Sequence, residues 1–228
     1  MSDPRADHSA APSEEFSPSV RAQLLATEHW SLLASRSTTQ NELLVRIAIF
    51  LTLVSASVVS LALIGQATDF DDRFDAFTIV LFSILLVVGT LTLLRVVNGS
   101  QEDLAYVIGM NRLRAAYVDL DPGIDRYLIA SRHDDARGVG QTYTFFSPTR
   151  DEVQFFASST MFILVVDAVA AGVLGGLVAN AGSAPGTVKA IAAAAAGASY
   201  FAAWMWYLLR RIADQEREYE ALFPHPEG

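Results

Sequence analysis

The sequence predicts an all-α polytopic membrane protein, with four transmembrane helices arranged as two hairpins and further helices outside the bilayer. Three observations carry the prediction. Residues 47–65 and 76–94 run without a single charge, and at about 1.5 Å rise per residue each covers a hydrocarbon core about 30 Å thick. Two more apolar blocks, at about 155–179 and 188–209, flank a short turn. Arginine is strongly asymmetric between the connecting segments, as membrane insertion demands.

Composition agrees. The 228 residues are 52% hydrophobic and only 18% charged, and the apolar excess sits in those four blocks. Cysteine is absent, which excludes disulfides and thiolate metal sites. A net charge of −9 argues against nucleic acid as a partner, since such proteins present a basic face.

In chain order, residues 1–20 mix acid, Ser and Pro without a positive start or an apolar core, so they read as a disordered cytoplasmic tail and not a signal peptide. Residues 21–43 hold an amphipathic cytoplasmic helix, with Leu25, His29, Leu32 and Leu33 on one face. Thr39 and Glu42 have capping-box spacing, which predicts a fresh helix start before the first hairpin, 44–97. The spans of that hairpin have no polar stripe, so they face lipid or other helices all round.

Residues 98–152 form a cytoplasmic helical segment. Ser100 is placed to cap a helix over 101–119, and Asp121-Pro122 opens a short one through Ala130. Residues 131–146 read as a loop, and Ser147-Pro148 opens the helix of the third span. The second hairpin, 153–209, turns at 180–186, where Gly182, Pro185 and Gly186 break helix. A cytoplasmic C-terminal helix follows over 210–228, with apolar positions reaching back to Leu208 and on through Ile212, Tyr219 and Leu222.

Of the 16 Lys and Arg residues, only Arg73 and Lys189 fall by the two hairpin turns. The rest lie on the side that holds both termini and the central segment, which the positive-inside rule places in the cytoplasm of a cell membrane. Trp204, Trp206 and Tyr207 beside Arg210 and Arg211 make an interfacial anchor on that side.

Asp167 is the one ionisable residue deep in a span, and such a residue is by default a functional candidate. About ten Leu, Ile, Val and Phe at roughly −0.3 to −0.6 kcal/mol each offset a central Asp at about +2.5 to +3.5. It reads either as a proton- or cation-linked carboxylate in a wet interhelical cavity, or as a neutral carboxyl hydrogen-bonded across helices. At similar depth the other spans offer Ser55, Ser57, Ser83, Ser199 and Tyr200.

Small residues recur at helical spacing: Gly172 with Gly176, a row of Ala171, Gly175 and Ala179, and Ala193 with Gly197. Such faces let helix backbones approach in lipid. They predict packing of the third span on the fourth, and in a sharper version a homo-oligomer interface. Arg112, Arg114 and Arg126 are the candidate contacts for an anionic small-molecule signal or lipid headgroup. His133-Asp134-Asp135 presents three adjacent ligating residues that cannot wrap one ion without partners elsewhere, and no metal or other cofactor is expected. His8, His29, His133 and His225 are scattered over tail, helix face, loop and terminus, and no catalytic set is expected either.

A helix at 21–36, a two-span hairpin at 47–94 and a following helix at 101–119 together resemble the SLATT-type membrane effectors of bacterial nucleotide-signalled defence. The stretches EHWSLLASRSTTQNELLVR and NRLRAAYVDLDPGIDRYLIASRHDD are similar to four-span membrane proteins of high-GC bacteria. The first resemblance covers about half the chain, by architecture, and the second hairpin departs from it. It implies a protein that assembles in the membrane and opens or disrupts it upon a cytoplasmic signal, and it transfers no functional residue. Two expectations follow: a non-enzymatic membrane assembly or signal-responsive effector, or a small ion- or proton-coupled channel or transporter using Asp167.

Overall fold

A computed structural model describes residues 16–144 and 158–226. The described residues form helices α1 (Pro18–Thr68), α2 (Asp72–Leu120), a 3-10 helix η1 (Pro122–Tyr127), α3 (Ala136–Tyr143), α4 (Ser159–Ala181) and α5 (Gly186–Glu218), with no strand among them. Four of these, α1, α2, α4 and α5, are long and apolar enough to cross a membrane.

The two hairpin turns lie at one end. Asp69 and Phe70 reverse the chain with φ of 51° and 58°, a conformation that costs L-residues energy. The Phe70 ring folds onto Gly65, where a Cβ would overlap it. Asp71 then caps α2, accepting from the Arg73 N–H at 2.9 Å and the Phe74 N–H at 3.3 Å. The second turn separates α4 from α5 as the Gly-Pro-Gly stretch predicts, with Ser183 at φ 55°.

At the other end α1 and α2 run on beyond their apolar stretches and, with η1, α3 and residues 219–226, build a polar cap. Two predicted breaks are absent here. The helix at 21–43 and the first span are one 51-residue helix, roughly 75 Å long. The capping-box residues serve other partners: the Thr39 hydroxyl donates to Glu102 at 3.3 Å, and Glu42 accepts from Arg46 at 2.9 Å and Arg95 at 3.1 Å. Ser100 likewise caps nothing, because its hydroxyl donates to the Val96 carbonyl at 3.0 Å inside the 49-residue α2. An unbroken backbone ladder plus cross-helix polar bonds outcompetes a local cap.

Three further expectations need correction. Asp121 does cap the next helix, accepting from the Gly123 N–H at 2.9 Å, but that helix is 3-10 and ends at Tyr127 rather than Ala130. The predicted loop 131–146 contains α3, which Asp135 caps through the Gly138 N–H at 2.7 Å. The C-terminal helix is no separate piece: α5 is continuous to Glu218, after which Tyr219 and Leu222 lie in a non-helical tail. The Ser147-Pro148 helix start lies outside the described residues.

α2 is the shared neighbour, packing on α1 and on α4, while α4 packs on α5. The core sits on the cap side of the spans, where Phe50, Leu93, Val96, Ile163, Leu164 and Leu208 are buried together. Leu44, Val58 and Leu63 on α1 point outward and are exposed, as a lipid-facing surface requires.

Candidate functional sites in the spans and in the cap

Asp167 lies on α4 against α2 and is 1% exposed. The Tyr200 hydroxyl on α5 donates to its Oδ2 at 3.1 Å, and the Thr90 hydroxyl on α2 lies 2.8 Å from Tyr200. With the single Tyr200 proton directed at Asp167, Thr90 is the donor to Tyr200, so three helices share one polar chain. Asp167 Oδ1 is buried and has no hydrogen-bond partner among the described residues. It faces Gly89 of α2, where a Cβ would overlap the carboxyl group.

The sequence placed Asp167 and Tyr200 at one depth but missed Thr90 and Gly89. The available signal was a Gly-Thr pair inside a span of large apolar residues. The serines at that depth do not join the site. Ser55, Ser57 and Ser83 donate to carbonyls of their own helices at 2.9, 2.7 and 2.7 Å, and Ser199 is exposed.

The small-residue faces meet inside the chain. A Cβ on Gly172 would lie 3.1 Å from the Ala193 carbonyl oxygen, and one on Gly197 would lie 2.8 Å from that of Ala168. Gly175 faces Ala196 and Gly176 faces Ala193 in the same way. Ala171, on the other side of α4, is buried. Gly172, Gly175, Gly176, Ala193 and Gly197 therefore hold α4 to α5 by close backbone approach.

The three candidate arginines have separate surroundings. Arg112 Nε donates to Asp134 at 2.7 Å, and its Nη2 lies 3.3 Å from the Tyr219 hydroxyl. Arg114 donates to the Asn111 side chain at 2.7 Å and has no carboxylate partner among the described residues. Burial, then the nearby Arg36 charge, lowers its pKa. Arg126 on η1 stacks over the Tyr127 ring at 4.8 Å.

A second polar centre, unforeseen from the sequence, lies where the tail meets the cap. Asp134 is fully buried and accepts from Arg112, from the Tyr219 hydroxyl at 2.9 Å, and from the Leu222 and Phe223 N–H groups at 3.0 and 2.8 Å. Asp135 accepts from the His225 N–H at 2.8 Å besides capping α3. Burial alone would raise both carboxyl pKa values. The donors outweigh it, holding Asp134 below the ordinary range and Asp135 at about 2. Asn111 is buried beneath this centre, donating to the His133 carbonyl at 2.8 Å and accepting from Thr142 at 3.0 Å.

No protein family, curated protein or solved structure matches the chain. Its function is therefore argued from these two centres and the helices that connect them.

Proposed function

We propose that the chain is a signal-responsive membrane protein without catalytic activity of its own, lying in the cell membrane with cap and both termini in the cytoplasm. One observation supports this above others: α1 and α2 each pass unbroken from the cap into a span. Polar bonds lock them in register beyond the apolar stretch. Arg36 pairs with Asp103 at 2.7 Å, and Arg95 bridges Glu42 at 3.1 Å and Glu102 at 3.0 Å. Gln40 and Tyr143 also donate to Asp103, at 2.9 and 2.6 Å, which ties α3 to the same rod. A displacement at the cap thus reaches the spans as a rigid-body motion, one of the established ways that proteins switch.

The architecture that resembles SLATT-type effectors supports the same reading, and so does the clustering of basic residues at the cap. The test is a kink. Gln40→Pro breaks α1 between cap and span without touching the core. Triggered or overproduced parent protein should arrest cell growth and admit a membrane-impermeant dye. The kinked variant should insert equally well yet lose that effect. Equal arrest by both proteins, or no arrest by the parent, refutes the proposal.

A second reading rests on the enclosed Asp167. Its unpartnered Oδ1, with a hydroxyl chain through Tyr200 to Thr90, supports reversible proton binding inside the spans. Proton flux in liposomes that Asp167→Asn abolishes, with assembly retained, is the result this reading requires. Flux that survives the substitution ends it.

A further inference from the structure

The tail that follows α5 carries Pro224 and Pro226, and each proline restricts the residue before it to extended backbone. Residues 219–226 are accordingly non-helical. Extended backbone leaves its N–H and C=O groups free, and the cap receives them. The Phe223 N–H donates to Asp134 Oδ1 at 2.8 Å, while the Phe223 carbonyl accepts from the Asp134 N–H at 3.3 Å and from His133 Nδ1 at 3.2 Å. The Leu222 N–H donates to Asp134 Oδ2 at 3.0 Å, and the His225 N–H to Asp135 Oδ2 at 2.8 Å. The His225 ring lies on that of His133, with centroids 4.0 Å apart. Apolar side chains of the tail take little part, since Leu222 is 64% exposed and Phe223 38%. Docking therefore rests on hydrogen bonds to two carboxylates rather than on apolar burial.

The receiving surface is held without the tail. Arg112 of α2 donates to Asp134 at 2.7 Å, Asn111 of α2 donates to the His133 carbonyl at 2.8 Å, and Asp135 caps α3. When the tail leaves, Asp134 keeps Arg112 and water takes its freed lone pairs, so opening strands no buried charge. Past the buried Leu208, one side-chain hydrogen bond links α5 to α2 among the described residues, from Arg211 to Asn98 at 3.1 Å. The tail adds a second link, through Asp134 to Arg112. We propose that residues 219–226 are a detachable latch, docked on Asp134 and Asp135, that ties the cap end of α5 to α2 and restrains the protein until a signal acts. The restraint rests on the signalling proposal; the docking does not.

The test uses the full chain in liposomes, with spin labels at Arg137→Cys and Glu220→Cys, exposed sites in a chain without cysteine. The parent should give one narrow tail-to-cap distance. Asp134→Asn removes the charge that collects the tail donors. Leu222→Pro removes one donor from the tail alone and leaves the cap untouched. Each should lower the ratio of docked to free tail about tenfold or more, seen as growth of a broad population at longer distance. Leu222→Pro should leave the melting temperature of the bundle unchanged. In cells, both variants should arrest growth at expression levels that the parent tolerates. An unchanged distance distribution in Leu222→Pro, or a lowered melting temperature there, overturns the latch. Arrest at the same level by parent and variants, or by the parent alone, overturns the restraint. Arrest by none of them at any level overturns it together with the signalling proposal.

Discussion

Asp167 has one oxygen bonded and the other walled in, and the wall is Gly89. Adding a methyl there drives Cβ into the carboxyl group, so Gly89→Ala should destabilise the fold by about 1–3 kcal/mol. Thermal melting in detergent measures this, and an unchanged melting temperature contradicts the packing of α2 on α4. Thr90→Val and Tyr200→Phe remove adjoining links of one chain, so a double-mutant cycle should give coupling of about 0.6 kcal/mol, the typical value between transmembrane helices. In the cap the carboxylates work differently. Asp135 has its folded pKa depressed to about 2 from 3.8, and Asp134 is depressed too. Groups shifted this way stabilise docking above the ordinary carboxylate value and lose that contribution as pH falls through the folded one. The tail should therefore stay docked on the alkaline side of about pH 4 as far as these two groups are concerned, and release toward about pH 2. Tail-to-cap spin-label distances check it. Asp134 and Asp135 themselves stood out in the sequence only as part of the His133-Asp134-Asp135 run. Their tail partners did not, because residues from two distant segments meet only after α5 has brought Tyr219 and His225 back to the cap.

At the scale of elements, the sequence stated clearly where the spans lie and poorly where helices stop. Uncharged runs of membrane length have one favourable environment, and composition alone identifies it. A helix end is a close contest between a local cap and continued backbone bonding. At Thr39 and Ser100 the deciding partners, Glu102 and the Val96 carbonyl, were invisible to local pattern. Asp121, the predicted cap, does act as one, and Asp71 and Asp135, not predicted as caps, act so as well, because a turn follows or precedes each of them. The small-residue rows on α4 and α5 were legible as packing faces, and the contacts seen here place them against each other within one chain. Gly197→Leu should therefore abolish correct folding of the single chain, since its side chain meets the Ala168 carbonyl. Light scattering and melting together decide this. A stable, folded monomer that merely loses an oligomer would contradict it.

For the whole molecule, the polar cap at one end and the two short turns at the other define a direction, and the proposed cytoplasmic placing of the cap rests on the arginine distribution. Both the signalling proposal and the proton reading need helices that truly cross the bilayer. The absence of native cysteine makes labelling of single introduced cysteines the most direct measurement. In intact cells, Asp69→Cys and Ala184→Cys at the two turns should react with a membrane-impermeant maleimide. Arg137→Cys and Glu220→Cys should react only after the membrane is opened. Labelling of all four positions from the same side, or of one turn without the other, would contradict the four-span arrangement.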